Sequence, residues 1–169
     1  MGTDSVSQFE SSLHGLAETV VRTSPDEFVD TLEALIETPA IGVTLPFDGV
    51  SLAETSVTID PTVEELNDAT TGVTPAGLGV ASYGTVTLRS TDGLDELVSL
   101  YPPEHVVVLS AADIVPNMPA AFDRLETEFD AGQTTQILAT GPSATGDMGS
   151  LVRGVHGPQQ VSVVLLEEP

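Results

Sequence analysis

The 169-residue chain has no cysteine and no lysine, and aromatic residues make up only 4% of it. Without cysteine there are no disulfides, no thiolate nucleophile, and no iron–sulfur or zinc site built on cysteine. Long apolar runs are missing too: nothing approaches the roughly 20 residues that cross a bilayer as a helix. The start, "MGTDSVSQFE", lacks the basic segment and apolar centre of a signal peptide, so the expected location is cytoplasmic. Positive charge is scarcest. Four arginines stand against 26 Asp and Glu, a formal net charge of -22. Four scattered guanidiniums cannot make the basic footprint that phosphate backbones need, which argues against nucleic-acid binding.

Carboxylate is what the chain has in excess, and it is spread evenly: 14 in residues 1–70 and 12 in 71–169. A disordered acidic tail would concentrate this charge, and a cation site would cluster it. The densest groups, "TVEELND" and "RLETEFD", read instead as exposed helix faces. Such a surface matches adaptation to molar salt, where hydrated acid stays soluble and its self-repulsion is screened over a few ångströms. A halophilic source is therefore expected. Hydrophobic residues make up 40%, enough at this length for one core. The expected organisation is one domain over 1–169, with N-terminal helices in 1–40 and an α/β core in 41–169.

Val6, Phe9, Leu13, Leu16 and Val20 step by three and four, predicting a first amphipathic helix. "SPDE" reads as a capping box, Ser24 with Glu27 and Pro25 at the first helical position, opening a second helix through Phe28, Leu32, Leu35 and Ile36 to Pro39. "AIGVTLP" and "SVTID" read as strands, and "TVEELND" opens with a second box, Thr62 with Glu65. Two strands near 78–82 and 85–89 flank a tight turn at Tyr83-Gly84. "DGLDELVSL" is a short helix capped by Asp92, and His105 stands at the start of "HVVVLS", a fully buried strand. "NMPAAFDRLETEF" is a helix with Phe122, Leu125 and Phe129 on one face; "QILAT" and "QQVSVVLLEE" are the last strands. The alternation predicts an α/β fold: a central, mainly parallel sheet with helices on both faces, and ligands beyond the carboxyl ends of its strands.

Two windows are nearly or wholly free of acid. One runs from Ala69 to Thr91; the other, Ala131 to Leu166, holds a single carboxylate, Asp147, inside "GPSATGDMGSLVRGVHGP" at 141–158. Gly141, Pro142, Ser143 and Thr145 provide small residues, backbone N–H groups and two hydroxyls. A helix starting near Thr145 would aim its dipole at a small anionic ligand, with Asp147 in its first turn. A tight buried turn that stays uncharged explains the same residues. No Lys is present and the glycine spacing is wrong, so this is not a P-loop. Arg153 could neutralise a bound carboxylate or phosphate, or form a surface ion pair. His156, held before Gly157 and Pro158, could move protons near neutral pH or simply bond backbone carbonyls. Gly84 and Thr85 stand at a strand junction in the other window. No His pair has ligand spacing, so no metal is expected.

The stretch "TGPSATGDMGSLVRGVHGP", with the short apolar strand after it, resembles the C-terminal signature of the LUD domain family (lactate-utilisation protein C, LutC/YkgG). "GVTPAGLGVASYGTVTL" and "YPPEHVVVLSAADIV" are similar to further segments of that family, so the resemblance runs in order over about residues 70–166. Carried over, the signature falls on Gly141, Pro142, Ser143, Thr145, Asp147, His156, Gly157 and Pro158, with Gly84 and Thr85 upstream. Ala144 stands where many members have Arg, Gly146 replaces Ala, and Tyr83 replaces a Thr. The resemblance implies a fold like the NagB/RpiA/CoA-transferase superfamily. It also implies a role beside LutA/LutB-like iron–sulfur oxidoreductase subunits that convert L-lactate to pyruvate, the clusters belonging to those partners. Asp147 and His156 become the candidate catalytic groups. A stand-alone enzyme acting on a sugar phosphate, acyl-CoA or folate, and a non-catalytic scaffold, stay open as alternatives.

Overall fold

A computed structural model describes residues 2–90, 93–146 and 149–167. In chain order these form α1 (Gly2–Leu13), β1 (Thr19–Thr23), α2 (Phe28–Glu33), β2 (Ala40–Gly42), β3 (Val57–Ile59), α3 (Val63–Asp68), β4 (Thr71–Pro75), β5 (Gly79–Val80) and β6 (Thr85–Arg89). Then follow α4 (Asp95–Leu100), β7 (Glu104–Ser110), β8 (Ile114–Val115), α5 (Met118–Asp130), β9 (Gln136–Thr140), β10 (Ala144–Thr145), β11 (Val152–Arg153) and β12 (Gln160–Leu166).

Six strands make the central sheet in the order β1-β12-β7-β4-β2-β3, and every pairing is parallel. Its middle strands β7 and β12 are rich in β-branched residues because both faces are covered. Val107, Leu109, Val163 and Leu165 meet Phe9 and Leu13 of α1 on one face. Val106, Val108, Val164 and Leu166 meet Phe28 and Leu32 of α2 on the other. Leu66 of α3 and Val98 pack near the far edge against Ile41 and Val43. The fold class is therefore the expected one, a parallel α/β sheet with helices on both faces. A second, four-stranded sheet in the order β8-β5-β6-β9 lies against the α1 face through Val86, Leu88 and Ile114. Among the described residues no helix is long and apolar enough to cross a membrane.

Several elements differ from expectation. The first helix ends at Leu13, where Gly15 takes φ 81°. The stretch containing Val20 becomes strand β1, pairing with β12 from Thr19↔Ser162 to Thr23↔Leu166; four of its five residues are β-branched and prefer that state. Strand β4 lies inside the Gly/Thr-rich window, which hid it. Ser24 makes no side-chain capping bond, because Pro25–Glu27 forms a 3₁₀ turn before α2. The Thr62–Glu65 box does form. The Thr62 hydroxyl accepts from the Glu65 N–H at 3.3 Å, and the Glu65 carboxylate accepts from the Thr62 N–H at 2.8 Å, which holds the Glu65 carboxyl below its ordinary pKa. Helix α5 docks through Ala121 and Leu125, leaving Phe122 and Phe129 exposed; Phe122, one residue after Ala121, is turned about 100° from the buried stripe, and Phe129 lies in the helix's last turn. Asp92, the expected cap of α4, lies outside the described residues.

Candidate functional site

The small sheet does not press flat on the central one. Between them lies a cavity of about 230 Å³. One wall is His105 and Val107 of β7 with Val161 and Val163 of β12; the facing wall is Val86 and Leu88 of β6 with residues 137–140 of β9. Ser99 and Leu100 of α4 and Leu13 of α1 complete the sides, and 141–143 with 156–158 close one end. His105 and Val161 are each the second residue of their strand. The cavity therefore opens toward the amino ends of the parallel strands, not the carboxyl ends. The reason is topological: "QILAT" is β9, which runs antiparallel to β6 in the small sheet and has no place in the parallel one.

Seven of the sequence-selected residues line this cavity: Gly84, Gly141, Pro142, Ser143, His156, Gly157 and Pro158. The last six come together because backbone bonds clamp two strips side by side. The Ser143 N–H donates to the Pro158 carbonyl at 2.8 Å, and the Gly154 N–H donates to the Ser143 carbonyl at 3.0 Å. Gln159 and Gln160 then donate to the Pro103 carbonyl at 2.7 and 3.1 Å, fixing the strip to the start of β7. Gly141 makes the turn out of β9 at φ 66°, and a Cβ there would sit 3.1 Å from that of Leu16. His156 is exposed at the rim.

Three selected residues are placed elsewhere. Thr85 is engaged in a hydroxyl pair with Thr140 at 2.7 Å, bridging β6 and β9. Thr145 and Arg153 belong to a two-stranded antiparallel hairpin, with Thr145 opposite Val152 and Arg153 opposite Ala144. The described residues of 141–158 contain no helix, so the expected helix start near Thr145 does not exist and no helix dipole faces an anion there. Gly149 takes φ 81°, a left-handed conformation that a right-handed helix does not use. Arg153 is exposed on the strand β11 and does not line the cavity. Asp147 lies outside the described residues.

Among the cavity residues not selected from sequence, two are buried and polar. Ser99 is buried and donates to the Glu96 carbonyl at 2.7 Å. His105 is 3% exposed, with Nε2 2.8 Å from the Thr74 hydroxyl. Thr74 is on the same sheet face, since Gly72 pairs with His105 and Thr74 with Val107. Burial pushes the His105 imidazole down to about 4, so it is neutral at physiological pH. The period-2 rule held the signal: a histidine two residues before Val107 must share its buried face.

The cavity carries no fixed positive charge from the described residues. Arg22 pairs with Glu10 at 2.7 Å and Glu167 at 3.1 Å, Arg89 with Glu128 at 3.1 Å, and Arg124 with Asp113 at 3.0 Å, all away from it. Among the described residues no group of three or more His, Asp or Glu could hold a metal ion. The arrangement offers a largely apolar chamber, a neutral imidazole in its wall, and an exposed imidazole at its rim.

The family model of the LUD domain matches residues 26–166. Lactate utilization protein C of Bacillus subtilis is 31% identical over 110 residues, covering 63% of this chain and 46% of that protein. Lactate utilization protein C of Halalkalibacterium halodurans is likewise 31% identical over 110 residues, covering 63% and 48%. The matched stretch thus spans a little under half the length of these relatives. The crystal structure of a DUF162 family protein from Deinococcus radiodurans superposes with a TM-score of 0.76 over 98% of both chains at 19% identity, a likeness of fold.

Proposed function

The chain belongs to the LUD domain family, and on that premise we propose that it supports the oxidation of L-lactate to pyruvate as a LutC-like component. One observation carries this reading: seven of the ten residues that resemble the lactate-utilisation signature, Gly84 and six from 141–158, line one cavity. Electron transfer belongs to LutA/LutB-like iron–sulfur partners. With no cysteine anywhere in the sequence, the residues of this chain do not fit a cysteine-ligated cluster. The chain's own contribution is to bind a small ligand between its two sheets, in the cytoplasm of a salt-adapted cell.

The rim and the interior have different chemistry. His156, exposed at the mouth, can offer a ring N–H to an acidic group of the ligand. The interior offers carbon and neutral polar atoms. Deleting the gene from a strain without a paralogue is expected to abolish growth on L-lactate as sole carbon source. Affinity purification of the chain in molar KCl is expected to retain a cysteine-rich iron–sulfur partner. Unimpaired lactate growth of the deletion strain overturns the reading.

A further inference from the structure

The central and the four-stranded sheet each end in strands that have a neighbour on one side only: β1, β3, β8 and β9. Natural sheets guard such edges by keeping the strand short or by placing charge or proline on it. Strand β1 carries Arg22, paired with Glu10 and Glu167. Strand β3 is three residues long with Asp60 next to it, and β8 is two residues long between Asp113 and Pro116. Strand β9 has no such guard. It runs five residues, Gln136–Thr140, without charge or proline, in a chain that carries 26 carboxylates.

Its outer side is open. Backbone groups point to alternate sides along an antiparallel strand. On β6 the Thr87 N–H donates to the Leu78 carbonyl, and the Thr87 carbonyl accepts from the Gly77 N–H, both on the β5 side. Leu138 is the partner of Thr87, so its own N–H and C=O point away from β6, as do those of Gln136 and Thr140. Among the described residues no backbone hydrogen bond reaches them. Leu138 is 45% exposed, whereas Ile137 and Ala139 turn inward to line the cavity. Burial therefore does not account for the lack of acid on this edge. The carboxylate that touches β9, Glu128, is only 16% exposed and is held by Arg89 and Gln136.

We propose that β9 is a dimer interface, pairing antiparallel with β9 of a second copy across a two-fold axis at Leu138. Such an axis sets identical strands antiparallel. Centred on Leu138, it aligns the outward-facing residues: Leu138 with Leu138 of the second copy, and Gln136 with Thr140 of the second copy. The two four-stranded sheets then continue as one. Charge selects the occupant. Two chains of net charge -22 repel wherever acidic faces touch, and here neither strand brings an unpaired carboxylate to the other. A basic partner would be drawn to the acidic faces instead. Because β9 is also a wall of the cavity, the second copy braces that wall.

Sedimentation velocity of the full chain in molar KCl tests this. Pairing of one short strand buries little area, so a Kd on the order of 10 μM is expected, with monomer at about 1 μM and mostly dimer at about 200 μM. Leu138→Glu and Leu138→Lys each set like charges face to face and are expected to stay monomeric at about 200 μM. An equal mixture of the two is expected to regain the dimer mass, a rescue that requires both variants to be folded and to meet at this position. Val63→Glu, at an exposed residue of α3, is expected to dimerise as the wild type does. A wild type that stays monomeric at about 200 μM overturns the proposal and leaves the edge to a strand of a different protein. Dimers that survive both Leu138 variants, or a mixture of the variants that stays monomeric, overturn the pairing at Leu138.

Discussion

The His105 imidazole makes stability depend on pH in a way that can be isolated. Its ordinary value is 6.5, and burial lowers it to about 4 in the folded chain. Between those values the unfolded chain takes up a proton that the folded chain refuses. Unfolding is then favoured as pH falls, so the contribution is fully present above about 6.5 and disappears toward 4. A gap of roughly 2.5 pH units at about 1.36 kcal/mol each sets a ceiling of about 3 kcal/mol, of which about 2 kcal/mol is lost by pH 5. The chain's many carboxylates also titrate in this range, so the comparison must be with a variant that shares them. His105→Gln keeps a group able to bond Thr74 and removes the titration. Urea unfolding in molar KCl at pH 7, 6 and 5 is the assay. From pH 7 to 5 the wild type is expected to lose about 2 kcal/mol more than His105→Gln, a relative midpoint shift of about 1 M urea. Parallel pH curves would refute the reasoning, because they would mean that the ring is hydrated or paired when folded.

Other perturbations separate contacts that matter from those that only look alike in sequence. Thr62→Ala breaks a formed capping box and is expected to cost about 1 kcal/mol, lowering Tm by about 2–4 °C in calorimetry; Ser24→Ala, at a position without a capping bond, is expected to leave Tm unchanged. Arg22→Gln removes a guanidinium held by Glu10 and Glu167, but these side chains are about a third or more exposed, so the expected loss in dilute buffer is only about 0.5–1 kcal/mol. The Arg22 hydrogen bond keeps the Glu10 carboxyl below 4.5. Its contribution is therefore present above that pH and lost as pH falls through the lowered value, which acid titration of the two proteins will show. Molar KCl is expected to raise the wild-type unfolding midpoint well above that in dilute buffer; matching midpoints would contradict salt adaptation.

What could be read from sequence followed the strength of each local signal. The "HVVVLS" run named β7 because a β-branched stretch buried on both faces has few alternatives, and Thr62 with Glu65 named the start of α3 because both partners of a box were present. The stripe from Val6 to Val20 misled, since three of its positions belong to a helix and Val20 to a parallel edge strand; the pairing with β12, 143 residues away, decides that and leaves no local mark. The second sheet was equally hidden. Nothing within "QILAT" says that it will pair antiparallel with β6, so the turn after it was assigned to the wrong end of the wrong sheet. Part of the cavity lining was legible all the same. Gly141, Pro142, Ser143, His156, Gly157 and Pro158 stood out by resemblance and by a neutral window in an acidic chain, and they do gather. Their expected chemistry, a helix dipole facing an anion, finds no helix among the described residues there, because Ala144–Thr145 and Val152–Arg153 pair as antiparallel strands. His105 was passed over because a single histidine opening an apolar strand looks the same whether it seals a core or lines a chamber.

The most direct measurement is complementation. A deletion strain carrying the wild-type gene should grow on L-lactate as sole carbon source, whereas one carrying Ala139→Phe should not, although the variant accumulates and gives the wild-type circular dichroism spectrum. Equal growth of the two strains would contradict the claim that the space between the two sheets is where this protein does its work.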